Sequence, residues 1–343
     1  MPPPISRSFK NSLPSSVFQY LWSEGPRTHV LLALLALSTM PFLYLSFEVP
    51  KQIINNAIHV SHFPIYVLGA GLSQLYALIA LSVSFLAVVG IVSVLKYVVN
   101  VRKGTFGEMV LQRLRFLGYR ECSKRSKKTH FGEVIPVLTH EMEAIGTFAG
   151  DAFVLPILQG GIFVTVVTFM FVQDVILGVA ALALLPVQLW IIPPMQRKVN
   201  ALTRDRAHEM RNFGGIVGST GEVQNKTSTT TLLEQERKVS SSLEKIRTIR
   251  VELFRKKFLM KSLNNFIGHL TPFFFYLIGG FLVVLGDLTF GSLVGVLAAY
   301  KDLTPSLKEL FKYYQRQQDV LIRYKGIREY LYDSSSENSR RTV

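Results

Sequence analysis

The chain has 343 residues, 49% of them hydrophobic, and carries a formal net charge of +15. A mean hydropathy of +0.29 is too apolar for a soluble domain of this length and suits a bundle of membrane-spanning helices. The single cysteine, Cys122, excludes an intrachain disulfide and a cysteine-based metal cluster. The basic balance is read as Lys and Arg held on one side of a membrane, not as a nucleic-acid footprint.

In chain order, residues 1–27 form a polar leader holding Arg7, Lys10 and Arg27, with no small-residue cleavage site. It is expected to be retained in the cytosol. Six apolar segments follow: 28–47, 63–95, 152–173, 175–196, 262–286 and 288–300. A bilayer core of roughly 30 Å takes about 20 helical residues, which all but the last supply. The last reaches that length by continuing through Lys301 and Asp302 toward Leu310. As one helix, residues 63–95 would be about 50 Å long. One span is therefore predicted there, starting after Gly69-Ala70-Gly71.

The connections alternate. Segments three and four are joined by little more than Gln173-Asp174, and five and six by Gly286-Asp287. Two long connections, 96–151 and 197–261, carry most of the basic residues, among them Arg102, Lys103, Arg113, Arg204, Arg211 and Lys256. The positive-inside rule then places both of them and both termini on the cytoplasmic side of the inner membrane. Within them, Phe106, Met109, Val110, Leu114 and Leu117 recur at helical spacing, as do Leu243, Ile246, Ile249, Leu253, Phe254 and Leu259. Spanning helices that continue into the cytosol as long stalks are expected, with residues 96–117 alone projecting about 33 Å. The fold class is all-α: a leader at 1–27, a six-helix membrane domain at 28–332, and a polar tail at 333–343.

The stretch GEVIPVLTHEMEAI, residues 132–145, sets Glu133, Glu141 and Glu143 between two of the most apolar regions. Together with GDLTFGSLVGVLAAY, residues 286–300, and Glu222 in the second long connection, it resembles the transmembrane half of an ABC exporter. Gly132, Glu133, Leu138, Thr139, Glu143 and Ile145 fit that family's Gly-Glu, apolar pair, Leu-Thr-Asn-Asp-Val-Glu-x-Ile pattern, with His140 and Glu141 replacing Asn and Asp. The resemblance implies six long helices, two coupling turns that dock an ATPase, and a homodimer or heterodimer enclosing one cavity. It places ATPase coupling at Tyr119, Arg120, Lys124, Arg125, Glu133, Glu222 and Lys226. It also implies a lipid or other amphipathic substrate. Both turns depart from the family pattern: the first holds only Phe131 amid basic residues, and the second is a polar, β-branched run of poor helix propensity.

The residues contain no Gly-x-x-x-x-Gly-Lys-Ser/Thr loop to cradle phosphates, no HExxH site and no catalytic triad. The chain is therefore not expected to be an enzyme or to hold a cofactor itself; ATP and Mg would come with an ATPase partner. Charged residues at membrane depth face a cavity or one another, so Lys301, Asp302 and Asp151 are the candidate translocation-pathway residues. Two other readings stay open. One is a proton-driven transporter, for which Asp302, Asp151 and Glu48 are the candidate carboxylates. The other is a non-transporting membrane protein that binds a partner through its basic stalks.

Overall fold

The computed structural model describes residues 13–58, 65–67, 70–123, 135, 137–223 and 229–339. Nearly all of them are helical. A short α1 (Val17–Glu24) precedes α2 (Pro26–Gln52), which runs on as a π-helical segment, Ile53–Ile58. Then come β1 (Ile65–Val67) and β2 (Ala70–Leu72), α3 (Gln74–Ser123), a π-helical turn at Val137–Glu141, α4 (Met142–Asp151) and α5 (Val154–Gln173). The chain continues through α6 (Val175–Val223), α7 (Thr229–Phe274), a π-helical turn at Phe275–Gly279, α8 (Gly280–Leu285) and α9 (Phe290–Ser339). The hairpin β1–β2, with Ile65 opposite Leu72, is a small addition to the all-α architecture.

Sequence dictates several of these boundaries. α3 begins at Gln74, past the Gly69-Ala70-Gly71 stretch, and continues unbroken through Lys96 to Ser123. Between α8 and α9 the backbone of Gly286 takes φ +87, a left-handed value that suits the residue without a Cβ. Thr289 then caps α9, its Oγ1 accepting from the Ser292 N–H at 3.1 Å. Pro50 and Pro272 each stand three residues before a π-helical segment. A proline lacks the N–H of the regular ladder and crowds the preceding turn, yet Pro41, Pro186, Pro193, Pro194 and Pro305 are carried within α-helix without such a segment.

Five helical stretches are long and apolar enough to cross a membrane: Pro26–Ile58, Gln74–Glu121, Val154–Gln173, Val175–Gly218 and Glu236–Leu285. The sixth apolar segment opens α9, where Lys301 and Asp302 interrupt its hydropathy, yet the helix itself passes through both charges without a break.

The chain divides into two units, residues 1–174 with 285–343 and residues 175–284. In the first, α2, α3, α5 and α9 pack together, and α4 lies against α3 and α9. A core beyond the apolar spans gathers Phe106, Val110 and Leu114 of α3, Met142, Ile145 and Phe148 of α4, Val320, Tyr324 and Ile327 of α9, and Val17, Tyr20 and Leu21 of α1. Phe106, Val110 and Leu114, four residues apart, are the buried members of the stripe anticipated from the sequence, with Met109 and Leu117 half-buried. Each fully buried side chain of this kind stabilises by about 1.5–3 kcal/mol relative to exposure, which is why the charged stalk stays folded and why α1 is held to it. In the second unit α6 packs along α7 as a helical hairpin. There Leu253 is buried, whereas Leu243, Phe254 and Leu259 of the same anticipated stripe are 48%, 42% and 58% exposed.

Candidate functional site

A buried carboxylate bridges three helices of the first unit: Asp151, the last residue of α4 and 7% exposed. Its Oδ1 lies 2.9 Å from Lys103 Nζ of α3, and its Oδ2 accepts from Arg316 of α9 at 2.7 Å. Next to it, the Tyr313 hydroxyl donates to the Ala152 carbonyl at 2.6 Å, and its ring stacks on Phe148 at 5.6 Å. Burial, then the nearby Asp151 charge, push the Tyr313 phenol above its ordinary range. Each carboxylate oxygen therefore engages a different helix, and one side chain ties three stalks together.

Close backbone approach makes this possible. A Cβ at Gly150 would run into the Lys103 carbonyl, and one at Gly107 would sit 2.7 Å from the Gly146 carbonyl. Glycines at the crossing let α4 come near enough for Asp151 to reach across.

A second charged contact lies further along the stalk. Arg113 of α3 donates to Glu24 of α1 at 2.5 Å, with the Glu24 side chain 4% exposed. Tyr20 stacks on Tyr324 at 5.9 Å, and the Tyr324 hydroxyl donates to the Pro14 carbonyl at 2.8 Å. Desolvation, followed by the Glu24 charge, raises the Tyr20 phenol well above its usual value. His29 Nε2 donates to the Leu21 carbonyl at 3.1 Å, its ring packed among Trp22, Phe106 and Phe153. These contacts strap α1 across the root of α2 and α3.

At the opposite end of the unit a set of neutral side chains links the helices. Asn55 donates to Thr289 Oγ1 at 3.0 Å and accepts from the Gly291 N–H at 3.0 Å. Thr289 donates to Ser292 Oγ at 2.8 Å, and Ser292 donates to Gln173 Oε1 at 3.0 Å. These hydrogen bonds join the ends of α2, α5 and α9, beside the packed rings of Phe47 and Phe169.

The residues singled out from sequence fall as follows. Tyr119 and Arg120 are exposed on the last turns of α3, Tyr119 at 64%. Lys124, Arg125, Glu133 and Lys226 lie outside the described residues, and Glu222 stands in the last turn of α6. Of the 132–145 stretch, Glu143 comes within 3.8 Å of Arg115, whose guanidinium also donates to the carbonyls of Leu138 and Thr139 at 3.0 and 3.2 Å. Lys301 is exposed and Asp302 half-buried on α9. Asp151 is not joined to either. Its α9 partner, Arg316, stands about 21 Å further along the helix. Sequence reasoning left the partners of Asp151 open and did not single out Arg316 or Tyr313. Glu48, the remaining carboxylate of interest, is bonded within its own helix end to Lys51 at 2.9 Å and to Gln52 at 2.6 Å.

In the second unit, an open groove of about 600 Å³ runs along one face of α7, lined among others by Glu244, Arg247, Glu252 and Arg255. The aromatic run after Pro272 turns Phe273, Tyr276 and Phe281 outward at 52%, 63% and 63% exposure, while Phe275 is buried.

Five helical stretches long and apolar enough to cross a membrane, their charged helical extensions and the tightly crossed α3–α4 stalk define a multi-pass membrane domain. A family model described as ABC transporter transmembrane region matches residues 29–301, and the chain belongs to that family. It is a multi-pass membrane protein. Among curated proteins, no significant match is found.

Proposed function

We propose that the chain is the membrane-spanning permease subunit of an ABC exporter, moving a lipid or other amphipathic molecule by ATP-driven alternating access. ATP and Mg bind and react on a partner ATPase that docks at the stalk ends. The pathway is built from two such membrane subunits, alike or different, in the inner membrane, with the stalks on the cytoplasmic side.

The observation carrying this reading is the length of the helices. α3, α6 and α9 have 50, 49 and 50 residues. At full length each is about 75 Å, against roughly 30 Å of bilayer core. A pore or a carrier with short loops has no use for more than half its helix length outside the membrane. A permease driven by an external motor does, because rigid helices convert motor closure into rearrangement of the spans. The motor biases two states by binding one of them better; this chain supplies the two states. Coupling to that motor is assigned to Tyr119 and Arg120, on the last turns of α3, to Glu222, in the last turn of α6, and to Lys124, Arg125, Glu133 and Lys226. Lys301, Asp302 and Asp151 remain the charged candidates along the route.

The test is co-expression with a candidate ATPase, purification of the complex, and reconstitution into vesicles with a fluorescent amphipathic lipid as cargo. ATP hydrolysis stimulated by this chain, with lipid movement stopped by vanadate, is the expected result. Transport that survives ATP depletion and collapses with an uncoupler would replace this reading with a proton-driven one.

A further inference from the structure

The hairpin of the second unit carries a band of positive charge that the transport reading does not use. α6 and α7 run antiparallel: Ser242 donates to Glu209 at 2.9 Å, and the π-helical turn Phe275–Gly279 packs near the start of α6. Both helices rise equally per residue. From the Ser242–Glu209 contact toward the apolar ends, Arg197 and Lys198 come level with Phe254 and Leu253, next to Arg255. Lys256 and Lys257 follow, and Lys261 comes level with Trp190.

Five of these six cations are exposed and Lys256 is half-buried. Among the described residues none of them forms an ion pair, and neither residues 175–203 nor residues 253–286 contain an Asp or Glu. Glu252 and Asp205 mark the edge of the band on the side away from the spans. Exposed aromatic rings stand within the band and on its apolar side: Phe258 is 59% exposed, Trp190 81% and Phe266 64%. Both helices of the hairpin are apolar enough to cross a bilayer.

We propose that this basic collar binds the anionic headgroups of phospholipids, phosphatidylglycerol being the simplest, at the membrane surface where α6 and α7 emerge. The chemistry is complementary on both sides of the band. Lys and Arg forks meet lipid phosphates, while Trp190 sits at headgroup level, where its amphipathic ring is favoured. Phe258 lies among the cations of the band, and Phe266 continues into the acyl region. A soluble acidic protein or a nucleic acid would have to reach charges lying in the plane of the bilayer surface, with apolar side chains directly beside them. The lipid is already there. The inference rests on membrane residence and stands whether or not the chain transports anything.

The experiment compares the full chain in nanodiscs of phosphatidylcholine with and without phosphatidylglycerol. Retained lipids are counted by native mass spectrometry, and the apparent melting temperature is followed in parallel. Wild type retains phosphatidylglycerol selectively and melts higher in its presence. The variant Lys198→Gln, Arg255→Gln, Lys256→Gln, Lys257→Gln binds it at least about tenfold more weakly, since each surface cation contributes to anionic-lipid attraction. The pair Arg237→Gln and Lys238→Gln, on the same helix but far from the spans, leaves retention unchanged. Raising salt to about 0.5 M weakens selective retention in wild type, as screening requires. That arm remains decisive if the fourfold variant does not fold. Equal retention of both lipids, retention insensitive to salt, or complete displacement by inorganic phosphate would each overturn the proposal, the last by pointing to a soluble anion.

Discussion

Asp151 shows how much one side chain can join. Its two oxygens hold cations from α3 and α9, helices far apart in sequence, and the group itself is 7% exposed. Replacing it by Asn leaves Lys103 and Arg316 facing a neutral amide. Those partners are 23% and 39% exposed, so water softens the loss. We expect Asp151→Asn to destabilise by about 2 kcal/mol, below the range for a fully buried pair. Lys103→Met should cost less, since Arg316 remains bound. Apparent melting midpoints in detergent would order the two variants, and an unchanged midpoint in Asp151→Asn would contradict the three-helix tie. Tyr20 gives a prediction in pH. Burial and Glu24 raise its phenol well above the ordinary tyrosine value of about 10. The folded chain thus keeps the proton after the unfolded chain has released it, so this contribution is complete below about pH 10 and is lost as pH climbs through the folded value. Tyr313 acts in the same direction. Midpoints should fall above about pH 10, and Tyr20→Phe should flatten that fall without affecting the slope at neutral pH.

The crossing of α3 with α4 depends on missing side chains as much as on charged ones. Gly150→Ala would drive a methyl into the Lys103 carbonyl, so one helix must move. A cost of about 1–3 kcal/mol is expected, as for other overpacked sites. Gly160→Ala, on α5 with no neighbour within 4 Å, is the matched control and should change little. This crossing was only half legible in the sequence. The buried stripe Phe106, Val110 and Leu114 announced itself by periodicity, and the spans by hydropathy, because both are local patterns. The corresponding stripe on α7 was anticipated too broadly: Leu243, Phe254 and Leu259 are exposed because α6 alone covers that helix within its unit. Arg316 gave no signal at all. It is 165 residues from Asp151, and no spacing rule links an acid at one helix end to a base in the middle of another. Nor could composition foretell the neutral ties of Asn55 with Thr289 and Gly291, which depend on two helix ends meeting after folding.

Across the first unit the two ends are held by different chemistry. Among the described residues, charged pairs and a buried aromatic core bind the stalk end, whereas the side-chain bonds that join helices at the other end, through Asn55, Thr289, Ser292 and Gln173, are neutral. Neutral bonds contribute about 0.5–1.5 kcal/mol each, and those to charged groups about 1.5–3. The end with the weaker ties is the one expected to open when the spans rearrange. Asn55→Leu should therefore make Asn56→Cys, in a Cys122→Ser background, more reactive to a maleimide; equal labelling rates would argue against a release there. The central claim is that the long helices pass motor closure to the spans. It is tested most directly by spin-labelling Tyr119→Cys in the same cysteine-free background, within the assembled dimer and its ATPase partner. The distance between the two labels should shorten when ATP and vanadate trap the motor closed and lengthen again on nucleotide release. A single distance, indifferent to nucleotide in a complex that still moves its cargo, would contradict the account.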